Sequence, residues 1–311
     1  MRFSLMTEPQ QGLSYDEILA AARAAEDAGL ETFFRSDHYT SFPGDSGLPT
    51  TDCWATLAGL ARDTRTIGLG SLVSPVTFRI PGSFAKVVAT VDEMSGGRIE
   101  LGVGAGWNEL EHAQLGIPYP GVTERVDMME EELRILHGLW DEPDGWVSEG
   151  PRWPVRDARF RPRQRRPNLI VGGTGKPRSL RIGARYADEY NTSSSGPDAC
   201  GEIGARLDEA CGAIGRDPST ITRSAMVGVL IAESESELRE RVGEQLRVFG
   251  SDLNEAEGWL AERRTRWIMG TQEEALERVH EFERAGVQRV MLQDFLPRDL
   301  DMIALMGRFF A

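Results

Sequence analysis

The sequence predicts an α/β protein whose strands close into a barrel, with a helix after each strand, and three observations carry that prediction. Short apolar segments alternate with helical segments along the chain, the pattern of a parallel sheet covered by helices. The residues just past three of those segments are chemically unusual: Arg35-Ser36-Asp37-His38, Ser71-Leu72-Val73-Ser74-Pro75-Val76-Thr77-Phe78-Arg79 and Gly102-Val103-Gly104-Ala105-Gly106-Trp107. Special residues after strand upon strand suggest an active site built from strand-to-helix loops at one end of a (β/α)8 TIM-like barrel. The barrel is expected to occupy residues 1–311 as one domain, with insertions after strands four and seven.

The elements follow in order. Phe3 to Met6 suits a short buried strand. Ser14-Tyr15-Asp16-Glu17 forms a capping box, followed by Ile18, Leu19, Ala22 and Ala25 at helical spacing and Gly29 as the stop. Thr32 to Arg35 is strand two, and a helix runs from about Asp52 to Arg62. Thr66 to Leu72 is strand three; Pro81 opens a helix that Gly96 stops. Ile99 to Val103 is strand four, and its helix, about Thr123 to Trp140, aligns Val126, Met129, Leu133, Leu136 and Trp140. Between Asp141 and Pro167, five prolines and seven arginines break the rhythm. A segment of this kind suits an inserted hairpin over one barrel face, as a lid or an oligomer contact. Leu169–Val171, Ala187–Asn191, Arg223–Ala232 and Gln288–Gln293 complete the strands, with capping boxes at Ser234–Glu237 and Thr271–Glu274 and a second insertion at 250–270 holding Trp259 and Trp267.

Composition narrows the class. A net charge of −14 argues against a nucleic-acid surface. No apolar run approaches the ~20 residues of a transmembrane helix, and the N-terminal residues lack a signal-peptide core, so a cytoplasmic protein is expected. Cys53, Cys200 and Cys211 are odd in number, far apart and without a CxxC pair, which fits neither a disulfide framework nor a zinc site. No metal site is expected.

Single residues then suggest chemistry. A histidine past a strand end, His38, suits proton transfer or a hydrogen bond to a flavin edge; a polar surface loop is the alternative. Gly102, Gly104 and Gly106 are spaced G-x-G-x-G, short of a dinucleotide fingerprint because Trp107 fills the next place; they suit close approach of backbone to a planar ring. Gly172-Gly173-Thr174-Gly175-Lys176 leads to a helix beginning near Pro177, and helix-start amides form a ready anion site. Glu109 or Glu111 could supply a proton, although acids in a helix's first turn are also explained by its dipole. Ser193-Ser194-Ser195-Gly196 lacks the G-x-S-x-G elbow of a serine hydrolase. Gln293 and Asp294 end the last strand, as pocket wall or as solvated loop.

From about Arg2 to Phe295 the chain resembles the luciferase-like monooxygenases, in the branch of reductases and dehydrogenases that use the deazaflavin coenzyme F420. The Asp37-His38 pair, the Ser-Pro-Val-Thr-Phe-Arg run and the block from Ser95-Gly96-Gly97-Arg98 to His112 carry the resemblance. It implies an F420-dependent oxidoreductase that moves a hydride to or from a small organic substrate, with an FMN-dependent monooxygenase using reduced flavin and oxygen as the alternative. His38 is then the catalytic residue beside the reacting ring. Asp37, Ser71, Leu72, Ser74, Gly104, Ala105 and Gly106 hold the ring, with a non-proline cis peptide expected at Ser71-Leu72. Gly172, Gly173, Thr174 and Gly175 take the side-chain phosphate. Trp107 stands where some deazaflavin-dependent sugar-phosphate dehydrogenases carry a glutamate, so it and Gln293 are assigned to the substrate pocket. Related barrels dimerise through helices near strands two and three, which makes a homodimer the expected state and Trp54 and Phe84 candidates for its contact.

Overall fold

Eight parallel strands close on themselves in the structure, a computed structural model that describes residues 1–42, 44–162, 165–252, 254 and 256–310. Both predicted insertions contain positions outside the described residues, Arg163 and Gln164 in one, Leu253 and Glu255 in the other. The chain runs β1 (Arg2–Thr7), α1 (Tyr15–Asp27), β2 (Thr32–Arg35), α2 (Cys53–Asp63), β3 (Gly68–Pro75), α3 (Pro81–Ser95) and β4 (Ile99–Gly104). After α4 (Glu109–Leu115) and α5 (Val122–Asp141) come β5 (Trp146–Ser148), β6 (Val155–Ala158), β7 (Asn168–Gly173), α6 (Pro177–Tyr186), β8 (Glu189–Ser193) and α7 (Pro197–Gly212). The remainder is β9 (Thr222–Ile231), α8 (Glu235–Val248), α9 (Ala256–Arg263), β10 (Ile268–Gly270), α10 (Gln272–Arg284), β11 (Arg289–Asp294) and α11 (Leu300–Phe310). The ring is β1-β2-β3-β4-β7-β8-β9-β11, closed by β11 on β1. β10 extends it at the upper end of β9.

Local chemistry sets the helix ends as expected. Ser14 and Glu17 form the capping box of α1, Asp52 caps α2 by accepting from the Ala55 amide, and Gly96 ends α3 in the left-handed conformation at φ 76°. At α8 the Ser234 hydroxyl accepts from the Glu237 amide while Glu237 reaches the Glu233 amide.

The barrel interior is layered. At the N-terminal end, buried Arg289 lies 2.7 and 2.8 Å from the two oxygens of Glu100 and 3.1 Å from Glu189, and it also bonds Thr32 and Ser4. Burial works against the Glu100 charge, but hydrogen bonds and charge from Arg289 hold its carboxyl below the ordinary range. Above this ionic layer sits an apolar one of Met6, Phe34, Leu72, Ile170 and Met291. Those two layers fill the barrel, so a site is open only at the C-terminal mouth.

The first insertion is a hairpin, as expected, but it is no lid. β5 and β6 pair antiparallel and pack against α5: the Trp146 ring lies where a side chain at Gly138 would stand. Phe160 meets Trp140, and Lys86 of α3 donates to the Arg161 carbonyl. The hairpin therefore clasps the outside of the helical ring. The second insertion is the one that reaches the mouth. Trp267 lies over Gly228 of β9, stacked on Phe295 at 5.7 Å and edge-on to Trp259 at 5.4 Å. Trp54 and Phe84 are each 2% exposed and meet edge-to-face at 5.3 Å, so they belong to the core between α2 and α3 and offer no surface to a second copy.

Candidate active site

Loops after β1 to β4 bring most of the predicted residues to one side of the mouth. His38 follows β2, and its Nδ1 lies 2.9 and 3.2 Å from the two oxygens of Glu111 on α4. A carboxylate accepts, so Nδ1 carries a proton, and in the neutral imidazole Nε2 then presents a lone pair. Among the described residues Nε2 has no hydrogen-bond partner. Glu111 is 1% exposed and also accepts from the Tyr39 amide at 2.9 Å. The helix dipole is thus not what Glu111 serves; its carboxylate reaches across to the β2 loop and fixes the histidine. A first-turn glutamate gave no sign of this partner, which is distant in sequence.

Asp37 faces the other way. It is buried, and it accepts from Ser74 Oγ at 2.7 Å and from Arg79 at 2.5 and 3.2 Å. Arg79 continues to Asp52 at 2.8 Å and to the Tyr39 hydroxyl at 3.0 Å. Burial, against the pull of Arg79, keeps the Tyr39 phenol protonated. Both Asp37 oxygens are committed, so this carboxylate ties the β2 loop to the β3 loop. Ser74 accepts from Trp54 Nε1 at 3.0 Å and lies 3.1 Å from Ser71 Oγ.

The register of β3 on β4 shifts between Ser71 and Ser74, and the cis peptide is Leu72-Val73, one residue beyond the expected Ser71-Leu72. The bulge turns Val73 toward β4 and β7. A methyl group at Gly102 would stand 2.3 Å from the Ser71 carbonyl oxygen; one at Gly104 would stand 2.5 Å from Val73 Cγ2, and one at Gly172 3.1 Å from Val73 Cγ1. Three of the glycines therefore make room for the bulge itself. Gly106 has φ 76°, and Ala105 holds Arg125 through its carbonyl. Next comes Trp107, 62% exposed, its carbonyl accepting from Tyr119 Oη at 2.8 Å.

The loop after β7 lies beside these residues because β7 pairs with β4. Gly175 has φ 73°, and a side chain there would strike Ile203; one at Gly173 would strike the Tyr190 hydroxyl. Thr174 and Lys176 are exposed, and no side chain caps the first amides of α6. Across the barrel, Gln293 donates to Glu8 at 2.6 Å, Gln10 donates to the other Glu8 oxygen at 2.7 Å, and Ser36 donates to Gln10 at 2.5 Å. This polar floor was legible only at Gln293. Asp294 points outward instead; it is buried, and burial pushes its carboxyl up to about 7.

His112 packs behind the site. Its Nδ1 lies 2.7 Å from the Asn108 carbonyl, so Nε2 accepts from Thr77 Oγ1 at 2.7 Å. No group of three or more candidate metal ligands occurs among the described residues.

The sequence pattern of the luciferase-like monooxygenase family matches residues 1–289, and the chain belongs to that family. It is 33% identical over 198 residues to the F420-dependent glucose-6-phosphate dehydrogenase of Microbacterium testaceum, an alignment covering 62% of this chain and 57% of that enzyme. The chain thus matches little more than half the length of that relative. Among solved structures, an F420-dependent secondary alcohol dehydrogenase in complex with an F420-acetone adduct superposes with TM-score 0.84 at 19% identity, over 99% of this chain and 98% of that one. Monooxygenase RslO1 from Streptomyces bottropensis superposes with TM-score 0.83 at 21% identity, over 100% and 97%. At such identities these two likenesses establish the barrel fold.

Proposed function

We propose that the protein is a coenzyme F420-dependent oxidoreductase that exchanges a hydride with a small organic substrate, with His38 as the proton-transfer residue. One observation carries this reading: the mouth holds a histidine whose Nδ1 is fixed by buried Glu111 and whose Nε2 has no hydrogen-bond partner among the described residues. The names of the relatives agree with it.

The residues present fit such a cofactor. The uncapped amides of α6, with exposed Thr174 and Lys176, suit an anionic phosphate. Ser71, Leu72 and Ser74 at the bulge, the Gly104-Ala105-Gly106 backbone and the backbone of Asp37 suit the ring. The cofactor would supply a ring carbon that takes or gives a hydride. Glu111 keeps His38 in one tautomer and one orientation. His38 Nε2 takes the proton released as a substrate hydride leaves, or returns it in the reverse direction. The Glu8–Gln10–Gln293 floor and Trp107 bound the space in which the substrate is held.

The same reading makes the protein a cytoplasmic homodimer. Three buried free thiols suit a reducing compartment. Exposed Ile80, just before α3, Val87 of α3 and Leu110 and Leu115 of α4 supply apolar surface for a second copy. No described helix is long and apolar enough to cross a membrane.

The test is His38→Ala with F420 affinity followed alongside turnover. Loss of turnover by about 10²–10⁴-fold at unchanged affinity is expected. Near-normal turnover would remove His38 from the chemistry.

A further inference from the structure

We infer that the substrate is an uncharged molecule with an alkyl or aryl group beside its reacting carbon, and that Trp107 and Phe42 form the wall on which this group packs. The inference rests on the oxidoreductase reading above and sets this chain apart from the sugar-phosphate dehydrogenase to which it is 33% identical.

Three rings stand together at the mouth. His38 and Phe42 meet edge-on at 4.6 Å, Phe42 and Trp107 at 5.0 Å, and His38 and Trp107 at 5.6 Å. An apolar group against Phe42 and Trp107 therefore lies beside the proton-transfer nitrogen. The Tyr119 hydroxyl donates to the Trp107 backbone carbonyl and the next residue, Asn108, caps α4, so the backbone that carries the indole is fixed. Yet 62% of Trp107 remains exposed. A large aromatic surface left open in a reactive cleft gains most when a ligand covers it.

The charges nearby do not suit an anion. Glu109 is exposed in the first turn of α4, two residues from Trp107. The whole chain carries −14. The two arginines on this flank are already engaged: Arg79 with Asp37 and Asp52, Arg125 with two backbone carbonyls and the Tyr119 ring. A phosphate placed here would meet carboxylates and committed cations.

The experiment measures binding as well as rate. Affinities for cyclohexanone, 1-phenylethanol and glucose 6-phosphate are determined by ligand-observed NMR, with and without saturating F420, on the wild type and on Trp107→Ala and Trp107→Phe. F420 affinity is determined first, so a failure of the cofactor reading is seen separately. The two apolar probes are expected to bind and glucose 6-phosphate not to. Trp107→Ala should weaken the apolar probes about tenfold or more, Trp107→Phe should retain most of the affinity, and F420 affinity should stay within about twofold. Tighter binding of glucose 6-phosphate, binding of neither apolar probe, or unchanged affinity in Trp107→Ala would overturn the inference.

Discussion

His38 is held by a neighbour 73 positions away, Glu111. Glu111→Gln keeps the shape and loses the charge, and an amide accepts from Nδ1–H less well than a carboxylate. Turnover should fall by about 10- to 100-fold through lost orientation of the ring. Unchanged turnover would mean that Glu111 only packs. His38 itself is visible in the sequence because a histidine past a strand end is rare chemistry in a telling place. Glu111 is not, because an acid in the first turn of a helix is already explained by the dipole. Arg79 is likewise visible as part of a run, but its pairing with Asp37 requires two loops to be placed side by side.

The glycines of β4 and β7 belong to the scale of elements. Their alternation suggests room for a ring; in the structure Gly102, Gly104 and Gly172 first accommodate Val73 from the β3 bulge. Gly102→Ala puts a methyl group 2.3 Å from a backbone oxygen, so stability should drop by about 1–3 kcal/mol and F420 affinity should fall with the bulge displaced. Gly82→Ala, in the first turn of α3 with no atom within 4 Å of the new methyl group, should be neutral or stabilise by up to about 1 kcal/mol. Urea denaturation of the two variants checks the contrast, and similar losses in both would mean that the bulge packing is not what the glycines serve. The barrel strands are legible because each is a short apolar run between turn residues. The bulge is placed one residue early because strand pattern does not encode the register between two neighbours. The first insertion is legible as a hairpin but not its seat, which depends on Trp146 meeting Gly138. α11 lies beyond the last predicted strand altogether.

Over the whole molecule, buried carboxyls set how stability follows pH. Glu132 on α5 has an Oε2 with no hydrogen-bond partner among the described residues, and burial, against the pull of Arg79, raises its carboxyl from 4.5 to about 8. The fold prefers its protonated form, so the stability it contributes is complete below about 4.5 and is lost as pH rises toward about 8. Glu17, bonded by Arg298 and Ser14, sits at about 2, and so does Glu26, where amides of Thr66, Ile67 and Arg65 outweigh burial. Their contribution has the opposite sign and is lost as pH falls from about 4.5 toward about 2. Asp294, raised by burial to about 7, acts in the same sense, so the thermal midpoint should decline between about pH 5 and pH 8, and Glu132→Gln should reduce that decline to the part Asp294 contributes; a variant as pH-dependent as the wild type would mean that Glu132 contributes nothing to it. The barrel with its open C-terminal mouth was legible from the sequence because the chemistry gathers after consecutive strands. The ionic layer below was not, since Arg289, Glu100 and Glu189 become neighbours only when the ring closes. The central claim is tested most directly by titrating the purified protein with coenzyme F420 and, in parallel, with FMN, following fluorescence. Tight F420 binding with weak FMN binding is the expected result; tight binding of FMN alone would contradict the account and turn attention to oxygen-dependent chemistry.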